Sequence, residues 1–341
     1  MGCRRLLPLL AVAALASAPA AAGTRSSWAL PQIKAVVGAG VMGPDVASFR
    51  PDAALTRAAL EQLVAGLTHG VPAAVAAPTA PVTLGALDAR LVNALGLAQT
   101  AKTLTRAARA AGLTPPSRFG TEATARLLGL RINHPAAQDD LELLPTETAT
   151  RAEAAYSGAQ VLKFNEATVP SLQAAAATFI PPALDPWQKR ILQTAVRFIG
   201  YPYVWGGESE LPESPFGHQA HGGFDCSGFV WRVYKLQAYP GEGSLADTLR
   251  GRTTYAMSGE VPAAKRLPFT KLQAADVIFF GAHGPASKPA EVDHMGIYLG
   301  NGWFIHSSGY GVAVAQLVGW YRTHFAWARR PLAEAGLSTG P

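Results

Sequence analysis

The sequence predicts an α+β protein in two parts: a mostly helical N-terminal half, then a half that mixes helices with strands. Three observations predict it. Residues 28–162 are Ala-rich, with apolar residues at helical spacing. A Pro- and Ala-rich stretch, 166–185, then breaks the pattern with Pro170, Pro181 and Pro182. Residues 186–332 turn richer in aromatics, Gly and strand-like runs. A length of 341 residues suits about two domains. Hydrophobic residues at 49% against 15% charged exclude a disordered chain.

The first element is the segment 1–22. Arg4 and Arg5 precede an apolar run, and Ala20-Ala21-Ala22 ends a small-residue stretch, the layout of a secretory signal peptide. Export is the expectation, and cleavage would remove Cys3, leaving Cys226 as the sole cysteine. That excludes a disulfide scaffold and a four-cysteine zinc site. No other segment approaches the roughly 20 apolar residues of a membrane span, so no membrane association is expected after cleavage. The net charge of +6 is small and dispersed, which argues against nucleic acid and suits an anionic wall.

Residues 23–165 carry a weak internal repeat. Pro51-x4-Thr56-Arg57-Ala58 recurs as Pro145-x4-Thr150-Arg151-Ala152, and a third Thr-Arg-Ala stands at Thr105–Ala107. Each is expected to open a helix with Thr as its N-cap, and Thr150 with Glu153 has the form of a capping box. The run 71–81 reads as a linker between units. Beyond 185, Asp185 and Pro186 suit a helix start, Ile191, Leu192, Ala195, Val196 and Ile199 form its apolar stripe, and Gly200 with Pro202 ends it.

Cys226 precedes Phe229, Val230, Val233 and Tyr234 at helical spacing, which places the thiol at a helix N-terminus. The free N–H groups and the macrodipole there favour thiolate, the form a nucleophile needs; a buried inert thiol is the alternative. His294 and His306 flank a predicted hairpin around Asn301-Gly302. A two-residue turn pairing Gly300 with Trp303 would put the histidines on opposite faces. A three-residue loop pairing Leu299 with Trp303 would put them on one face, as a Cys–His–His site requires, and that loop is the expectation. In such a site His294 is the base and His306 holds its tautomer, with the Cys226 N–H at an oxyanion hole. Ordinary buried histidines, or a zinc site of Cys226, His294 and His306, are the alternatives; no metal or other cofactor is expected.

Tyr201–Gly207 (YPYVWGG), FDCSGFV, Arg252-Thr253-Thr254, LQAADVIFF and DHMGIYLGNGWFIHSSG together resemble the NlpC-type cell-wall peptidase family. The resemblance implies a papain-like α+β fold for 186–332, with a helix-borne Cys packed on an antiparallel sheet. It further implies that Cys226 is the nucleophile, His294 the base and His306 the orienting residue. Tyr203, Asp225 and Ser227 are implied as substrate contacts, and the implied substrate is the peptidoglycan stem peptide, cut after D-γ-glutamate. Residues 208–222 exceed the family's usual link, and Met257 stands where Gln is frequent. Trp28–Leu67 resembles an S-layer homology repeat through Trp28, Ile33, Gly40–Gly43 and FRPDAALTRAAL; 142–156 resembles the end of another. Some members of that family bind anionic wall polymers through a Thr-Arg-Ala-Glu region, of which Thr56–Ala59 lacks the Glu. The expected organisation is signal peptide 1–22, helical repeats 23–165, linker 166–185, peptidase domain 186–332 and flexible tail 333–341. A wall-binding protein without catalysis and an acyl-transfer enzyme on the same fold are the alternatives.

Overall fold

The structure is a computed structural model, and it describes residues 27–134, 143–212 and 222–337. The expected signal peptide lies outside the described residues. So do the middle of the 208–222 insertion, with His218 and His221, and positions 338–341.

Seven helices come first: α1 (Leu30–Gly38), α2 (Arg57–Thr68), α3 (Leu84–Ala94), α4 (Ala98–Ala110), α5 (Phe119–Leu127), α6 (Arg151–Val161) and α7 (Thr168–Ala177). Three extended segments ahead of α2, α3 and α6 close a ring of backbone hydrogen bonds. Leu55 N–H donates to Ala149 O (2.8 Å), Ala149 N–H to Val82 O (2.9 Å) and Val82 N–H to Leu55 O (3.0 Å). Each segment leads into a threonine cap. The hydroxyls of Thr56, Thr83 and Thr150 accept from the N–H three residues on, at 3.2 Å in each case. The third cap is therefore Thr83 and not Thr105. Thr105 lies inside α4, where its hydroxyl turns back to the Ala101 carbonyl, because its neighbours are already helical and leave it no free N–H to satisfy. The capping box at Thr150 is half formed. The Glu153 carboxylate turns instead to Arg131 (2.7 Å) and His134 (3.2 Å). Arg131 is fully buried and also pairs with Asp88; a guanidinium removed from water must hold such partners.

The stretch expected as a linker contains α7, with Ala176 and the following Phe179 buried. Phe179 packs on Phe119 of α5 (6.3 Å) and takes Trp303 edge-on (5.2 Å).

Beyond it, α8 (Pro186–Arg197) starts as expected. Asp185 and Gln188 form a full capping box, and the predicted stripe is buried. Then come β1 (Glu208–Ser209), β2 (Gly223–Phe224), α9 (Cys226–Trp231) with a π turn at Arg232–Leu236, α10 (Leu245–Thr248) and α11 (Thr254–Gly259). Strands β3 (Val277–Gly281), β4 (Val292–Gly300), β5 (Trp303–Ser308) and β6 (Gly311–Gln316) follow, then α12 (Gly319–His324), β7 (Phe325–Arg329) and α13 (Pro331–Glu334). The five long strands form one antiparallel sheet in the order β6-β5-β4-β3-β7. The fold is α+β. One sheet face, with Val277, Phe279, Met295, Ile297 and Ile305, packs in the same core as α8 and α9. The other face carries Ile278, Phe280, Tyr298 and Phe304. Residues 333 and 334, expected in the tail, complete α13, where Glu334 pairs with Arg329 and Leu332 is buried.

The two halves share a core. Leu104, Leu113, Phe119 and Phe179 belong to the same buried cluster as Ile191, Phe229 and Trp303. Arg126 of α5 donates to the carbonyls of Gly200 (2.7 Å) and Tyr310, and Arg118 to those of Ile199 (3.0 Å) and Arg197 (2.8 Å). Calorimetry of the chain is therefore expected to show one cooperative transition. Phe179→Ala should lower that transition as a whole, by about 3 kcal/mol or more. Two transitions, with only one of them shifted, would contradict the shared core.

Candidate active site

The sequence around Cys226 dictates a tight corner. Phe224 and Phe229 pack on Phe198, at 4.8 and 6.5 Å. Between them the chain turns from β2 into α9, with Asp225 extended as N-cap. Gly228 is required there: a Cβ would lie 1.9 Å from the Gly207 carbonyl oxygen. The opposite wall is β4. Thr254 Oγ1 lies 3.4 Å from the Cys226 sulfur, and the backbone N–H groups of Ser227 and Met295 favour its thiolate. The N–H of Cys226 itself has no acceptor among the described residues.

The expected easy ionisation of this thiol is not met. Burial pushes it up to about 11. The Thr254 hydroxyl and the two N–H groups pull it down, while the Asp225 carboxylate pushes it further up. The α-helix is one of six residues, and its own cap places a carboxylate at the end where the macrodipole would have favoured thiolate.

His294 and His306 sit on one sheet face, as a joint site needs, but by a different route from the one expected. The turn is two-residue, with Gly300 opposite Trp303, and both Asn301 (φ 48°) and Gly302 (φ 79°) are left-handed. That turn alone would have split the histidines. A register shift between Tyr298 and Gly300 restores the pairing, so that Tyr298 faces Phe304 and Ile297 faces Ile305. The extra residue is accommodated as a bulge. His294 Nε2 then lies 2.7 Å from His306 Nδ1. The His294 ring stacks on Phe280 (5.6 Å), and the His306 ring meets Phe304 (4.7 Å) and the edge of Tyr321 (5.3 Å). Burial holds both imidazoles neutral, His294 down to about 4 and His306 well below the usual range. Among the described residues no hydrogen bond joins the sulfur to His294.

The three implied substrate contacts lie beside the thiol. The Tyr203 phenol is raised by burial and then by Cys226 and Asp225. Asp225 Oδ1 accepts from Gly228 N–H (2.5 Å) and Ser227 Oγ (3.0 Å), and Oδ2 from Gly206 N–H (2.9 Å). Arg252 ties the group together, donating to Ser227 Oγ (2.8 Å), to Asp225 (3.2 Å) and to Glu208. Arg252 and Thr254 are the site residues that sequence reasoning did not assign. The Arg-Thr-Thr string was visible, but nothing in its spacing said that it folds back onto Cys226. Among the described residues no group of three His, Cys, Asp or Glu could hold a metal.

With a thiol near 11, the rate of Cys226 alkylation by iodoacetamide should climb about tenfold per pH unit from neutral pH upward. Mass spectrometry of the modified peptide measures it. A plateau between about pH 5 and 8 would instead reveal a preformed thiolate–imidazolium pair.

Comparison with known proteins places this geometry in context. Residues 200–330 match the NlpC/P60 family, and residues 23–60 match the S-layer homology domain. The chain is 29% identical over 127 residues to a Bacillus subtilis gamma-D-glutamyl-L-lysine dipeptidyl-peptidase, covering 37% of this chain and 34% of that protein. It is 33% identical over 142 residues to the Escherichia coli murein DD-endopeptidase MepH, covering 41% and 44%. The chain thus spans less than half the length of these curated relatives. A crystal structure of an NlpC/P60 family protein from Bacillus cereus aligns at 27% identity and a TM-score of 0.32, over 45% of this chain and 41% of that one. By these family models, residues 200–330 match an NlpC/P60 domain and residues 23–60 match an S-layer homology domain.

Proposed function

We propose that residues 186–332 are a cysteine endopeptidase domain acting on peptidoglycan stem peptides, and that the chain is exported to the cell wall. The observation that carries the reading is the 2.7 Å contact between His294 Nε2 and His306 Nδ1, on the strand whose Met295 shares a buried cluster with Cys226. With Nε2–H donated to His306, the lone pair of His294 Nδ1 is the one that can take a proton. The thiol proton passes to that nitrogen as the sulfur attacks the peptide carbonyl. The Cys226 N–H, which has no acceptor among the described residues, donates to the oxyanion. The C–N bond breaks, His294 returns the proton to the leaving amine, and water hydrolyses the thioester. Because thiol and imidazole both rest neutral, the proton moves during attack and not before it.

Asp225 and Ser227, held by Arg252, with Tyr203 beside them, form a polar wall suited to the free amine and carboxylate of a stem peptide. The D-γ-glutamyl bond is the scissile bond in this reading, supported by the activity for which the Bacillus relative is named. The S-layer homology match supports retention at the wall by an anionic polymer. A second reading, wall binding without catalysis, has one observation in its favour: the sulfur bonds Thr254 and not His294.

Digestion of purified muropeptides, read by mass spectrometry, tests the reading. New termini at the γ-D-glutamyl bond are expected with the wild type and are lost with Cys226→Ala or His294→Ala, while His306→Ala should lower the rate by about a hundredfold. Unchanged muropeptides together with retained wall binding would establish the second reading.

A further inference from the structure

Thr254 stands at the first position of α11, and its neighbour Thr253 performs the capping, accepting Ala256 N–H at 3.3 Å. The Thr254 hydroxyl is thus released from the duty that usually places a threonine at a helix start. It is buried, and among the described residues its partner is the Cys226 sulfur, at 3.4 Å. A buried hydroxyl costs stability unless bonded, and an apolar β-branched residue would fill the same volume. The far end of the helix is also pinned: Glu260 accepts from Gly251 N–H (2.5 Å) and pairs with Arg329 (2.8 Å). The loop from Arg252 to Glu260 therefore delivers one polar atom to the sulfur from a fixed frame.

We propose that Thr254 is a positioning residue for the Cys226 nucleophile, accepting the S–H in the resting protein and donating to the sulfur once that proton has left. The inference rests on the reading of Cys226 and His294 given above. The S–H bond breaks, its electron pair stays on sulfur, and the proton goes to His294. Thr254 keeps its own proton throughout and only reverses the direction of its hydrogen bond. The other groups facing the sulfur do not replace it. Asp225 at the helix start opposes the negative charge, and the Tyr203 phenol is raised by that same charge. Arg252 is spent on Asp225, Ser227 and Glu208, and the imidazoles of β4 and β5 bond each other. Thr254 and the backbone N–H groups of Ser227 and Met295 are what favours the thiolate. The arrangement parks the thiol on a hydroxyl until a bound peptide brings it to the imidazole.

The test compares Thr254→Val, which keeps the shape, with Thr254→Ser, which keeps the hydroxyl. The pH profile of Cys226 alkylation reads the sulfur directly and needs no substrate. Thr254→Val should slow alkylation by about tenfold or more across neutral and mildly alkaline pH, shifting the profile upward. Thr254→Ser should stay within about twofold of wild type. In muropeptide cleavage, Thr254→Val should lower kcat with KM unchanged, and Ser should restore it. Equal alkylation by wild type and Thr254→Val, or equal losses in Val and Ser, would overturn the proposal in favour of packing. Thr254→Ala supplies the same comparison should the Val protein fail to fold. Cleavage that survives Cys226→Ala would sink the peptidase reading alone and leave the alkylation contrast standing.

Discussion

Burial of one sulfur atom between the first turn of a short helix and the backbone of β4 is the constraint on which the rest of the C-terminal half depends. Gly228 is there so that α9 can press on the Gly207 carbonyl. Phe198, Phe224 and Phe229 fix the approach of the chain. Ser307 Oγ, one residue past His306, donates to the Phe224 carbonyl at 2.6 Å and so couples the histidine strand to the cysteine turn. The cost of this burial is a thiol that resists ionisation, and the arrangement answers it with two backbone N–H groups and a hydroxyl in place of a cation. Neutral groups of this kind leave the sulfur quiet in the free protein.

The histidine pair depends on a second local event, the bulge before Gly300. The Asn301-Gly302 turn has the tightest geometry a hairpin allows, and its twist matches that of the sheet. Taken alone it would turn His294 and His306 to opposite faces. One extra residue in β4 reconciles a stable turn with two histidines on one face. Aromatic rings then flank the pair, Phe280 under His294 and Tyr321 against His306; His306 is buried, while His294 keeps partial exposure.

Much of this was legible in the chain. The capped start of α8, the helix beginning at Cys226 and the hairpin carrying both histidines followed from spacing and from residues with one dominant local use, such as Asp-Pro, Asn-Gly and Gly beside an aromatic. The illegible parts were tertiary. Thr105 looked like Thr56, yet only a threonine at the end of an extended segment can cap, and that segment is set by the three-way backbone ring. The thiol was read from its helix alone, whereas its ionisation is decided by what buries it. Arg252 and Thr254 reach Cys226 across a loop that no period describes. The expected linker failed for a related reason: its alanines and Phe179 are apolar enough to join the core between the halves.

That shared core gives the N-terminal half a role beyond any wall contact, because Arg126 holds the Tyr310 carbonyl in the turn after β5. The account nevertheless stands or falls on the histidine pair. Proton–nitrogen correlation spectra of the imidazoles near pH 7, assigned with His294→Gln and His306→Gln, test it most directly. The account predicts two neutral rings, with the His294 proton on Nε2 and its Nδ1 bare. An imidazolium at His294, or a proton resting on its Nδ1, would contradict it.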